Sequence, residues 1–167
     1  MNYVLFAFTA PWSVTVGWGW VLLMRLFAAK DLRWEGTLVL TATWRPWVLK
    51  IWKYSTTLGR GIIYQPGRRA EPSAPWTQIQ DHEHVHVRQI EDLMMLSFII
   101  GLVVALCTGH WLLGLGLWWS GGLWQLPDFV TAALRRGNPY RSSEHECSAY
   151  AQADRGPDGK SWLNRRG

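Results

Sequence analysis

Hydrophobic positions along the chain fall into four blocks of different period. Residues 1–24 carry no charged side chain and read as an apolar helix, although Pro11, Gly17 and Gly19 interrupt them. From residue 35 to residue 65 the pattern turns strand-like. Thr37-Leu38-Val39-Leu40-Thr41-Ala42-Thr43-Trp44 alternates, with Leu38, Leu40, Ala42 and Trp44 on one face. Residues 47–54 alternate less cleanly, residues 58–64 read as one further strand, and Pro66-Gly67 ends it. After a loop with Pro72 and Pro75, a helical period begins. Thr77-Gln78-Ile79-Gln80 forms a capping box, and Ile79, His82, His86, Gln89, Leu93 and Leu96 make a core-facing stripe. The fourth block, residues 93–127, is again free of charge. Thr108-Gly109-His110 offers a turn near its middle, and Pro127-Asp128 then opens a short amphipathic helix closed by Gly137.

Composition sharpens this picture. Apolar residues make up 49% of the 167 and charged residues 17%, below the usual share of about 25%, which excludes a disordered or acidic chain. The 17 basic residues all avoid residues 1–24 and 93–127. Each of those stretches reaches the roughly 20 residues that a membrane-spanning helix needs. Residues 1–24 lack the basic start and small-residue cleavage site of a signal peptide, so they read as a candidate anchor rather than an export signal. Arg25, Lys30 and Arg33 follow, which would leave that end on the cytoplasmic side. Thirteen tryptophans, among them Trp111, Trp118, Trp119 and Trp124, suit a lipid interface or a large protein contact equally. The net charge of +5 is spread as pairs such as Arg68-Arg69 and Arg135-Arg136, with no nucleic-acid-binding module, so no nucleic-acid partner is expected. Cys107 and Cys147 form no C-x-x-C pair and give no disulfide framework.

The chemistry is concentrated in His82-Glu83-His84-Val85-His86, an H-E-x-x-H motif. On a helix, residues four apart share a face, so His82 and His86 can hold one Zn²⁺ while Glu83 stands beside it as general base. At this chain's His and Glu frequencies, chance would give such a match on the order of once in two hundred sequences. Imidazoles on an inward face are costly to bury unless satisfied, and a metal would satisfy them. His84 lies on a different face and reads as non-ligating. A catalytic zinc usually takes a third protein ligand. Gln89 and Asp92 stand where the longer H-E-x-x-H-x-x-G-x-x-H motif has Gly and His, so that ligand comes from elsewhere: His110, Asp128, Glu144, His145, Glu146 or Cys147. Residues 140–154 have helical character, and Glu146, Ala149, Tyr150 and Ala153 would share a face there. Glu146 heads that small, apolar face and is the preferred ligand, with Glu144 the substitute. Ser143-x-x-Glu146 also spells a capping box, which would give Glu146 a structural role instead.

His82-Glu83-x-x-His86-x-x-Gln89, followed some sixty residues on by Glu146-x-x-Ala149-Tyr150, resembles the small gluzincin-type metallopeptidases, the minigluzincins. It also looks like the small predicted H-E-x-x-H proteins of bacteria and their phages. The resemblance implies zinc held by His82, His86 and a glutamate-helix Glu146, with Glu83 as base, acting on a polypeptide substrate. It implies an α+β fold with a small zincin-like core: a few-stranded sheet, an active-site helix and a glutamate helix. To that core this chain adds an apolar N-terminal helix and an apolar helical hairpin between the two motif helices. A single membrane crossing by residues 93–127 would put His82 and Glu146 on opposite sides, so the segment either stays on one side or goes in and returns; a helical hairpin packed on the protein, or dipping into one leaflet, fits better than two full spans. The expected organisation is an apolar segment at 1–30, one metal-binding domain at 31–156 carrying the hairpin at 93–127, and a basic tail at 157–167. The expected activity is zinc-dependent peptide hydrolysis. The alternative is a structural or assembly protein, membrane- or virion-associated, that keeps the zinc site without proteolysis. Both place the chain at a membrane or in a larger assembly, phage particles included, and otherwise in the cytoplasm.

Overall fold

The computed structural model describes residues 3–36, 38–50, 55–65, 74–134, 147–149 and 151. Helix α1 (Tyr3–Phe27) leads into strands β1 (Ala29–Glu35) and β2 (Val39–Trp44). A single 3-10 turn at Val48–Lys50 precedes β3 (Thr56–Leu58) and β4 (Gly61–Tyr64). Helices α2 (Ala74–Thr108), α3 (Trp111–Ser120) and α4 (Leu126–Leu134) follow. The fold is α+β, with a mixed four-stranded sheet in the order β1-β2-β4-β3. β1 runs antiparallel to β2, β2 parallel to β4, and β3 antiparallel to β4.

Helices cover both faces of the sheet, so the central strand β2 is buried throughout. On one face Leu40, Ala42, Trp44 and Ile63 pack with Val21 of α1. On the other, Val39, Ile62 and Tyr64 pack with Val87 of α2. The alternation in the sequence therefore marks two buried faces, not one. Thr41 and Thr43 are buried too, and β1 satisfies their hydroxyls. Thr43 donates to the Asp31 carboxylate at 2.9 Å, and Thr41 to the Arg33 carbonyl at 3.2 Å. Leu38 falls outside the strand, at a φ of 56°, and is exposed.

Two further expectations need correction. Residues 58–64 are not one strand: β3 and β4 pair Leu58 with Gly61 across a two-residue turn, with Gly59 at a φ of 52°. A tight hairpin of this kind needs positive φ that glycine supplies without a Cβ penalty. Nor does Thr77 cap helix α2, which already begins at Ala74 and takes Pro75 into its first turn, where a missing N–H costs nothing.

Close backbone approaches fix how the layers meet. A Cβ on Gly17 of α1 would collide with the backbone of Arg60 and Gly61 in the β3–β4 hairpin, whereas one on Gly19 would meet nothing. Opposite outcomes are expected from the same substitution. Gly19→Ala should raise stability by up to about 1 kcal/mol through helix propensity. Gly17→Ala should lower it, because backbone cannot yield as a side chain does. Thermal unfolding of the two variants under one set of conditions checks the sign.

Helix α2 is 35 residues long, about 52 Å at 1.5 Å per residue. Its first half lies under the sheet and its second half projects beyond it, where α3 packs back along it after a turn at Gly109-His110. The stripe expected through Leu96 fails there: Leu96 is exposed, and the buried line continues through Ile90, Met94, Ser97, Gly101 and Ala105.

Candidate metal centre

His82, Glu83 and His86 sit on the sheet-covered half of α2, and all three are buried. One helical turn brings the two imidazoles together as the spacing requires. Their Nε2 atoms are 3.1 Å apart, and the rings stand at 88° to each other with centroids 4.6 Å apart. Two nitrogens bound tetrahedrally to one zinc at about 2.0–2.1 Å lie roughly 3.3–3.4 Å from each other. The pair is thus within a few tenths of an ångström of the separation a shared zinc needs.

The tautomer of His86 is set by its other nitrogen. Nδ1 lies 2.8 Å from the Gln89 side-chain oxygen, an acceptor, so Nδ1 carries the proton and donates it. Nε2 is then left with its lone pair aimed at His82. Orientation of a ligating histidine through its second ring nitrogen is the usual supporting arrangement at metal sites. The sequence placed Gln89 on the same stripe as His86 without assigning it this role; its i+3 spacing from His86 was the available signal.

Glu83 is anchored from the sheet. Thr57 of β3 donates its hydroxyl to Oε2 of Glu83 at 2.5 Å. One carboxylate oxygen is thereby fixed, and the short edge strand positions the acid beside the imidazole pair. Nothing local in the sequence signals this contact, because its partners are 26 residues apart.

His84 belongs to a different group. Its Nε2 lies 3.9 Å from Oε2 of Glu35, which also accepts a hydrogen bond from the Tyr64 hydroxyl at 2.9 Å. It faces the sheet, away from the His82–His86 pair. Behind the site, Arg60 donates to Glu91 at 2.7 Å, with both side chains 7% exposed, and the Ser13 hydroxyl reaches the same carboxylate oxygen at 3.4 Å. Arg60 also donates its backbone N–H to the Ser13 carbonyl at 2.7 Å. This node ties α1, the β3–β4 hairpin and α2 together just beyond the imidazoles.

Of the proposed third ligands, His110 is removed by distance. It follows the end of α2, and His86 to Thr108 alone spans about 33 Å of helix. Cys147 is exposed and in no disulfide. Glu144, His145, Glu146 and Tyr150 lie outside the described residues. The backbone at 147–149 is helical and Ala149 is fully buried, so the small residue of the expected glutamate-helix face is packed inward. Among the described residues, no third His, Cys, Asp or Glu joins His82 and His86. The chain matches no family model, and neither a curated protein nor a solved structure matches it.

Proposed function

We propose that this protein is a zinc-dependent hydrolase of peptide bonds, with His82 and His86 as metal ligands, Glu146 as the third and Glu83 as the general base. One observation carries the reading: two buried imidazole Nε2 atoms, one helical turn apart, converge to 3.1 Å with a buried carboxylate next in sequence. The finer zincin-like description, with an active-site helix and a glutamate helix, is part of the same proposal.

Bound there, zinc supplies Lewis acidity to a water and to the substrate carbonyl. The remaining work falls to the chain. Glu83 takes the proton of the attacking water and returns it to the leaving amine. Thr57 donates to Oε2 of Glu83 and so fixes the carboxylate that would take the proton. With its proton on Nδ1 beside Gln89, His86 would present its Nε2 lone pair to the metal. Among the described residues β3 is the last strand of the sheet, and an extended polypeptide would add alongside it as a further strand near Glu83.

The competing reading, a structural or assembly protein stapled by zinc, draws on the breadth of exposed apolar surface on α2 and α3. The two differ in whether the metal keeps an open position. Purified full-length chain incubated with a peptide library should cleave it, lose that activity to 1,10-phenanthroline and regain it with added zinc. Zinc-loaded chain that cleaves nothing would favour the staple.

A further inference from the structure

Buried and exposed positions are inverted beyond the sheet. In the half of the molecule built from the start of α1, the end of α2 and α3, three polar side chains are fully buried. Thr9, Ser13 and Ser97 are each 0% exposed. Ser97 donates to the Met94 carbonyl at 2.9 Å and lies 3.1 Å from the Trp118 carbonyl of α3. The outside is largely apolar, with Thr108 and His110 exposed at the turn between α2 and α3. Leu96, Ile99, Ile100, Leu102, Val103 and Leu106 of α2 all stand exposed. At 100° per residue they cover an arc of about 160°. On α3 the exposed residues Trp111, Leu112, Leu113, Leu115 and Trp119 extend further still around the axis. So broad an apolar arc on two adjoining helices suits a hydrocarbon surround better than one protein contact.

Helix packing agrees. At the α2–α3 crossing, Gly101 and Gly114 approach so closely that a Cβ on either would strike the other's carbonyl oxygen. Contact through small residues, with a serine bonding across the interface, is how helices associate when apolar burial provides no drive. α1 joins the pair antiparallel to α2. Phe8 stacks on Phe98 at 4.6 Å, and Trp12 packs on Ile90 and Met94.

Charge and length supply the direction. Helix α2 is long and apolar enough to cross a membrane from Ile79 to Thr108, and only 33% of its most apolar window is buried within the protein. Its last charged residue is Asp92, and residues 93–108 extend about 24 Å, most of a hydrocarbon core of about 30 Å. Among the described residues, Arg88, Asp92, Arg25 and Lys30 all lie toward the sheet end, and residues 3–24 and 93–127 carry no charge.

We infer that the start of α1, the end of α2 and α3 form a lipid-embedded bundle, inserted into a bilayer by the Thr108-Gly109-His110 tip, with the sheet and the His82–His86 pair held at its surface. His86 then sits about 10 Å, seven residues, before the charge-free segment begins. This inference does not depend on the metal.

Cys107, exposed near the tip, is a natural reporter. The test uses full-length Cys147→Ser chain, labelled at Cys107 with an environment-sensitive fluorophore and mixed with phosphatidylcholine–phosphatidylglycerol vesicles. The chain should float with the vesicles after alkaline carbonate treatment. Phosphatidylcholine carrying a nitroxide on its acyl chain should quench the label at least twofold. The double variant Ile99→Lys/Val103→Lys, charged on the outward face, should float at least tenfold less. Wild-type flotation and quenching decide the matter even if that variant fails to fold. A chain that stays unfloated, as a soluble detergent-free oligomer or bound to a protein partner, overturns the inference.

Discussion

Glu83→Gln is expected to abolish peptide hydrolysis while leaving zinc bound. Positioned general bases contribute about 10²–10⁴-fold to rate, and an amide cannot accept the water's proton at neutral pH. Glutamine keeps the size of the side chain and still offers an oxygen to Thr57, which now donates at 2.5 Å to Oε2. Packing and metal affinity should therefore hold. The measurement is turnover of a cleaved peptide beside zinc content per chain. A drop of at least a hundredfold with unchanged zinc supports Glu83 as the base, and unchanged turnover removes it from the mechanism.

Arg60→Met should cost the most stability of any single change outside the imidazole pair. Glu91 is buried and its carboxylate accepts from the Arg60 Nε at 2.7 Å. Removing the guanidinium strands that charge between α1 and α2, at a cost of about 3–5 kcal/mol. The double variant Arg60→Met/Glu91→Leu should recover most of the loss, since an apolar pair of similar volume is often neutral or better in such a position. Thermal unfolding of the two variants against the parent separates a buried ion pair from a generic packing defect. If the double variant is no more stable than Arg60→Met, the pair is not what holds this junction.

Much of the architecture was readable in the letters because it depends on local pattern. The charge-free runs foretell α1 and the α2–α3 hairpin, and Thr108-Gly109-His110 marks the turn between the helices. The i, i+4 spacing of His82 and His86 requires convergence on any helix. What escaped the pattern depends on partners far away in sequence. β1 was hidden because it is an edge strand whose Lys30, Asp31 and Arg33 face water, and whose ladder breaks between Lys30 and Arg33. Thr41 and Thr43 fall on the opposite face of β2 from the apolar stripe, yet both are buried and β1 takes their hydroxyls. Leu96 fits a core stripe by spacing, yet it stands exposed beyond the sheet, where no element among the described residues covers it. Thr57, which fixes Glu83, and Arg60, which neutralises Glu91, carry no local signature, since each contact closes a loop of 26 or 31 residues. The third ligand rests on Glu146, which lies outside the described residues.

The central claim is that His82 and His86 share one divalent ion. Zinc K-edge X-ray absorption on the purified full-length chain, with metal content measured on the same sample, tests it most directly. The account predicts one zinc per chain, two imidazole nitrogens at about 2.0–2.1 Å with oxygen completing the shell, and loss of the metal in His82→Ala and in His86→Ala. A chain that binds no zinc, or holds it equally well without either imidazole, would contradict it.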